Sequence, residues 1–210
     1  MKVILVNGSP NQNGCTNRAL SELEKTFHEQ GIYTEKFWLG AEAINGCTAC
    51  WYCEEHGKCV FDDKVNEFHR IADDADGYIF ASPVHYASAG GMLTAFMDRV
   101  FMTEQMNGGI HFRLKPAAAV VAARRAGTTA ALDQINKYFT ILEMPVISSV
   151  YWNMVHGVEP KEVEQDMEGL QVMRTLARNM TYYMKCREAA KEVGIVLPER
   201  EEPVGTNFIR

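Results

Sequence analysis

The sequence has no long apolar run. Its longest, Ala117 to Ala123, falls far short of the roughly 20 residues that a membrane-spanning helix needs. Positive charge is not in excess either. Lys and Arg number 21 against 27 Asp and Glu, a formal net charge of −6, which disfavours nucleic acid and anionic membrane surfaces as partners. The opening residues are not expected to act as a secretory leader. The opening Met-Lys-Val-Ile-Leu-Val-Asn-Gly turns after a short apolar stretch and offers no small-residue cleavage site. The expected compartment is therefore the cytoplasm, where thiols stay reduced. Neither a Walker loop nor a G-x-G-x-x-G fingerprint is present, so ATP and dinucleotide binding are not supported. No Ser/His/Asp arrangement suggests a nucleophilic triad. The acid pairs Asp62-Asp63 and Asp73-Asp74 read as helix termini. No internal repeat, low-complexity segment or linker divides the 210 residues.

Hydrophobic residues make up 47%, enough for a sizeable core. Residues 2–6 form a β-branched apolar run that ends in the turn Asn7-Gly8-Ser9-Pro10. Leu20, Leu23 and Phe27 recur at helical spacing within Cys15 to Gln30. A second strand is expected at Tyr33–Leu39, a helix from Asp62-Asp63 and a third strand at Gly77–Ala81 ended by Ser82-Pro83. A helix is expected at Gly90–Phe101 and a doubly buried strand at Pro116–Ala123. A helix at Thr128–Leu142, a fifth strand at Pro145–Tyr151 and one long helix at Pro160–Lys191 complete the set. Alternating strands and helices imply an α/β fold, with a parallel sheet covered by helices on both faces. A single domain is expected over 1–195, carrying a cysteine loop at 45–61. The tail at 196–210 is expected to be loosely held.

Three loops at the carboxyl ends of strands hold unusual residues, and that edge is where open parallel sheets bind ligands. The first, Gly8 to Asn17, is rich in hydroxyl and amide side chains and opens a helix, an arrangement suited to a phosphate. An ordinary turn with a helix cap is the alternative. The second is Ser82-Pro83-Val84-His85-Tyr86-Ala87-Ser88-Ala89-Gly90-Gly91. The third runs from Ala122 to Thr129 through Arg124, Arg125 and Gly127. Together they would enclose one flat, phosphate-tailed ligand.

These loops resemble the flavodoxin-like NAD(P)H-dependent FMN reductase superfamily over roughly residues 1–155. The compact Cys47-x2-Cys50-x2-Cys53-x5-Cys59 resembles its iron-sulfur flavoprotein branch. The resemblance implies a flavodoxin-like three-layer sandwich with a five-stranded parallel sheet in the order 2-1-3-4-5. It implies FMN, with Ser9, Asn11, Cys15, Thr16 and Asn17 at the phosphate. Ser82, Pro83, Val84, His85 and Tyr86, with Arg124 and Gly127, are implied around the flavin. Asn11 stands where many relatives have Arg, and Cys15 where Asn is common.

The cysteines carry their own argument. A cubane cluster needs four converging thiolates. Cysteines spaced by three in a tight turn offer three, and Cys59 returns as the fourth after Glu54-Glu55-His56-Gly57-Lys58. A four-cysteine zinc site is the competitor, and metal-free thiols are the third reading. Cys186 reads as a packing residue. Met92, Met97, Met102 and Met106 read as core or interface before flavin floor. Trp152 to Gly157 reads as a cap on a neighbouring subunit's site or as plain structure.

The expected function is an FMN-dependent oxidoreductase with a [4Fe-4S] cluster on Cys47, Cys50, Cys53 and Cys59. It would pass electrons between a one-electron donor such as ferredoxin and a two-electron acceptor, with NAD(P)H as a possible donor and no catalytic side chain. The alternatives are a cluster-free NAD(P)H-dependent FMN, quinone or azo reductase, and a non-enzymatic electron carrier or thiol sensor. A homodimer or homotetramer is expected.

Overall fold

The computed structural model describes residues 1–202 and 204–208. The chain runs β1 (Lys2–Asn7), α1 (Cys15–Glu29), β2 (Tyr33–Trp38), α2 (Tyr52–His56), α3 (Lys64–Ala72) and β3 (Gly77–His85). It continues through β4 (Ser88–Ala89), α4 (Gly91–Met106), β5 (Ala117–Ala123), α5 (Thr128–Ile141), β6 (Met154–His156), α6 (Pro160–Val163) and α7 (Met167–Glu192). Five strands are parallel, in the order β2-β1-β3-β5-β6, and β4 is a short antiparallel partner of β3. Counted along the chain, the parallel strands have the expected order 2-1-3-4-5.

Strand periodicity divides the core into two layers. Ile4, Val6, Tyr78, Phe80 and Val121 face α3, α4 and α5. Val3, Leu5, Ile79, Ala118 and Val120 face α1 and α7. Phe68 of α3 is the hub of the first layer. Its ring centroid lies 5.4 Å from those of Phe37 and Phe96 and within 6.2 Å of three further rings. Phe68→Ala is expected to destabilise the protein by about 3–5 kcal/mol in chemical denaturation, because so many rigid rings cannot collapse into the space.

Three expectations differ from the structure. The fifth strand does not occupy Pro145–Tyr151. A single bridge forms where Ala117 N–H donates to Pro145 O at 3.0 Å and Ile147 N–H donates to Ala117 O at 2.9 Å. The chain then leaves the sheet, because Ser149 Oγ donates to Val172 O and Ser148 O accepts from Asn179, so both serines serve α7. Pairing with β5 resumes only at Met154. The third strand, in turn, does not stop at Ser82-Pro83. Pro83 pairs with Ala122, and its carbonyl accepts the Gly90 N–H at 3.1 Å, so its missing N–H is not needed. Finally, the helix expected at Pro160–Lys191 is two helices. Asp166 breaks it by capping α7 at Gly169 N–H, 2.9 Å away, and by accepting the His156 N–H at 2.7 Å.

The tail from 193 is exposed and without regular structure where described. Arg113 donates to Pro198 O at 3.0 Å, and Arg200 donates to Gly108 O at 2.8 Å. The expectation for the tail also covers residues 203, 209 and 210, which lie outside the described residues.

Candidate functional site

The register places three loop-bearing strand ends side by side. Asn7 lies opposite Ala81, and Ser82 opposite Val121. The first loop is held by its own polar side chains. Asn7 Oδ1 accepts the Ser9 N–H at 3.1 Å, Ser9 Oγ accepts the Asn11 N–H at 3.2 Å, and Asn11 Oδ1 accepts the Asn13 N–H at 3.3 Å. Trp38 clamps the loop from β2 by donating its indole N–H to Ser9 O at 2.8 Å. Gly8 is required, because a Cβ there would sit 2.8 Å from Leu93 Cβ and 2.9 Å from Ala81 O.

The loop ends at α1, whose N-cap Gly14 offers no side-chain acceptor and whose first turn has no acidic residue. Its first-turn N–H groups therefore lack an internal partner and form a site for an anion. Thr16 is buried and Asn17 half-buried. Ser9 is 6% exposed. Cys15 reaches away from the loop mouth, its thiol 3.5 Å from Gly157 O, and burial pushes that thiol's pKa up, with Glu162 and Glu159 acting the same way.

The second and third loops meet each other. β3 and β4 form a two-residue hairpin whose tip, Tyr86-Ala87, is left-handed at both positions with φ of 51° and 59°. Such a turn matches strand twist but strains non-glycine residues. The tip is fixed from α5, where Gln134 Oε1 accepts Ser88 Oγ–H at 2.7 Å and the Ala89 N–H at 3.0 Å. Gly127 lies under the tip with φ of 93°, and a Cβ there would fall 2.5 Å from Ala87 Cα. His85, Tyr86 and Arg124 are exposed, while Pro83 and Val84 are half-buried. Ser82 is fully buried and faces inward. Its hydroxyl donates to Pro83 O at 2.8 Å and accepts the Gly90 N–H at 2.8 Å.

The cysteine segment follows β2 and so leaves the same carboxyl edge of the sheet, next to the first loop. Cys47, Cys50, Cys53 and Cys59 all line one narrow cleft, walled by Trp51, Val60, Phe61 and Met102. Ala49 and Trp51 are both left-handed, with φ of 52° and 60°, which brackets Cys50. All six cysteines are free thiols. The N–H of Tyr52, aided by Thr48, draws the Cys50 thiol's pKa down. Burial, then the charges of the other three cysteines, pushes that of Cys53 up.

Cys59 is held by two buried residues that sequence reasoning missed. Asn66 Nδ2 donates to Cys59 O at 2.9 Å and Asn66 Oδ1 accepts the Cys59 N–H at 3.0 Å. Arg99 is 1% exposed. Its Nε and Nη2 each lie 3.2 Å from Cys59 Sγ, and its fork grips Asp63 at 2.7 and 2.8 Å. Burial works against the guanidinium charge, but Asp63 and Cys59 outweigh it and raise the Arg99 pKa. The available signal was an arginine set among the apolar residues Phe96, Met97, Val100 and Phe101. Arg99→Ala is expected to destabilise the chain by about 3 kcal/mol in urea, the low end for breaking a buried pair because Asp63 is one-third exposed.

The donor set is four thiols around a partly dry cleft, with cationic N–H donors on one of them. That suits an anionic iron–sulfur centre. A tetrahedral zinc site would hold its sulfurs about 3.8 Å apart, given zinc–sulfur bonds near 2.3 Å. Among the described residues, the one group with three ligand atoms within 4.8 Å of one another lies elsewhere.

A doubly wound sheet with three small-residue loops at one edge and a thiol cleft beside them defines a flavodoxin-like flavoprotein. The chain belongs to the NADPH-dependent FMN reductase family, whose model matches residues 1–159. It is 32% identical over 192 residues to an iron-sulfur flavoprotein of Methanocaldococcus jannaschii, covering 88% of this chain and 98% of that one. It is 24% identical over 180 residues to an iron-sulfur flavoprotein of Methanosarcina thermophila, covering 86% and 93%. In fold it is similar to a flavodoxin-like WrbA protein of Agrobacterium tumefaciens, with a TM-score of 0.62, 12% identity and coverage of 88% and 98%. RosB is also similar, with a TM-score of 0.68, 14% identity and coverage of 100% and 94%. This chain is an FMN-dependent oxidoreductase of that family. Among the described residues no helix is long and apolar enough to cross a membrane.

Proposed function

We propose that this flavoprotein carries a [4Fe-4S] cluster on Cys47, Cys50, Cys53 and Cys59 and links a one-electron donor such as ferredoxin to a two-electron acceptor. The observation that carries the reading is the single cleft lined by all four cysteines, with Arg99 donating twice to Cys59. FMN takes a hydride or single electrons and a cluster passes one electron at a time, which is the chemistry the pair supplies when bound. The chain's own part is binding and orientation. The open N-terminus of α1, with Ser9, Asn11, Thr16, Asn17 and the backbone N–H of Cys15, holds the phosphate. Pro83 to Tyr86 and Gly127 wall the flavin ring, and Arg124 places positive charge at its edge. Ser82 supports that wall from below. Arg99 stabilises negative charge on Cys59, whereas Glu54 and Glu55 nearby oppose it.

Exposed Tyr86, Tyr151 and Trp152 leave aromatic surface around the loops, which supports a homodimer or homotetramer that covers the flavin. Light scattering at micromolar concentration checks this, and a monomer contradicts it.

The test of function is anaerobic reduction of the flavin by reduced ferredoxin. The wild type is expected to be reduced many-fold faster than Cys50→Ala. A second reading, a cluster-free reductase, is favoured by the NADPH named in the family's description. Fast NADPH oxidation, equal in both proteins and with no difference toward ferredoxin, would establish it.

A further inference from the structure

We propose that His69, Glu104 and His111 form a second metal site, separate from the cysteines, for one divalent first-row transition ion. The three come from α3, α4 and the segment after α4. Their ligand atoms all lie within 4.8 Å of one another. The Glu104 side chain is 0% exposed, that of His69 10% and that of His111 13%.

Glu104 Oε1 is the centre of the group. It contacts His111 Nδ1 and lies 3.2 Å from His69 Nδ1. The other oxygen, Oε2, is already occupied by the His111 backbone N–H at 3.0 Å. Among the described residues the ion pairs of Glu104 are with these two imidazoles alone, and Lys115 acts on this fully buried carboxylate without an ion-pair contact.

His69 supplies the independent observation. Both of its ring nitrogens are buried and neither has a hydrogen-bond partner. The 3.2 Å approach to Glu104 is close enough for an ion pair but not aligned as a hydrogen bond. A buried polar group left unpaired costs free energy, and native structures rarely keep one without a reason. An ion between His69, Glu104 and His111 would give one of these two nitrogens a partner.

The surroundings match those of a metal-bound histidine. His111 turns its far nitrogen, Nε2, to Asp73 at 2.6 Å. That carboxylate–histidine arrangement fixes the tautomer and raises the basicity of the ligating nitrogen. Tyr78 anchors the His111 backbone by donating to its carbonyl at 3.0 Å. Two imidazoles and one carboxylate suit zinc, cobalt or iron(II) and do not suit calcium or magnesium, which prefer oxygen.

The burial and connections of the group give the ion a structural role. Gly108 and Gly109, with φ of 74° and 72°, turn the chain so that His111 returns over Glu104. The same turn begins at Asn107, whose amide donates to Gly57 O in the cysteine loop at 2.9 Å. An ion here ties α3, α4 and that turn together next to the cysteine cleft.

The test uses the Cys50→Ala protein with its remaining thiols alkylated, titrated with zinc under anaerobic conditions and then with cobalt as a spectroscopic probe. One zinc per chain is expected after equilibrium dialysis, and the melting temperature should rise with zinc concentration. Cobalt is expected to give ligand-field bands without a thiolate charge-transfer band. Adding His111→Ala should abolish binding. Adding Asp73→Asn, a change at an exposed side chain, should weaken it by about 10–100-fold. The proposal is overturned if Cys50→Ala retains no zinc, if cobalt shows thiolate bands, or if Asp73→Asn and His111→Ala both leave the affinity unchanged.

Discussion

Cys50→Ala is expected to emerge from anaerobic reconstitution with essentially no cluster iron, against about four irons per chain in the wild type. The effect should be confined to the cluster. Cys50 is exposed and packs against nothing in the core, so its side chain contributes little to folding. Its neighbours Ala49 and Trp51 hold the left-handed turns and are untouched. FMN content should stay at the wild-type level, because the three loops assigned to it lie on β1, β3 and β5 and not on the cysteine segment. Iron and sulfide assays with a flavin count on the same sample check both halves. Iron retained at the wild-type level would remove Cys50 from the ligand set.

Asn17→Glu is expected to weaken FMN binding by a hundredfold or more. The substitution puts a carboxylate in the first turn of α1, beside the N–H groups that Gly14 leaves uncapped. Unit charges about 5 Å apart at an effective dielectric near 20 repel by about 3 kcal/mol, and each 1.4 kcal/mol is tenfold in affinity. The fold itself should be slightly helped, because an acid at a helix N-terminus adds about 0.3–1 kcal/mol. A protein that melts no lower than wild type but purifies colourless meets the expectation. Unchanged FMN affinity, measured by fluorescence titration of the apoprotein, would place the phosphate elsewhere. Asn17 is a better probe than Thr16, which is 2% exposed and would disturb the core when enlarged.

Much of this architecture is legible in the sequence because burial and periodicity coincide. Residues 117–123 are apolar throughout and buried throughout, so a doubly covered strand could be read directly. Leu20, Leu23 and Phe27 mark α1 for the same reason. The last parallel strand was misplaced because Val146-Ile147 carries the apolar signal while Met154–His156 carries the pairing. Local composition does not reveal that Ser148 and Ser149 are claimed by α7. The β3–β4 hairpin was also hidden, because its left-handed tip is Tyr-Ala rather than the usual Asn-Gly.

The candidate site was legible as motifs but not as a network. The cysteine spacing marks four thiols, yet the grip of Arg99 and Asn66 on Cys59 depends on packing between α3 and α4, more than thirty residues apart in the case of Arg99 and Cys59. His69, Glu104 and His111 likewise have no short spacing that would group them. Ser82 is a different case. A hydroxyl in the right loop proves to be a backbone prop for Gly90.

The central claim is that one chain holds both FMN and an iron–sulfur cluster. The most direct measurement is the metal, sulfide and flavin content of the wild-type protein reconstituted and analysed without oxygen. The account predicts about four irons, about four sulfides and one FMN per chain, with visible absorption from the cluster that bleaches on reduction beside that of the flavin. A protein with one FMN and no iron, or with one zinc on its cysteines, would contradict it.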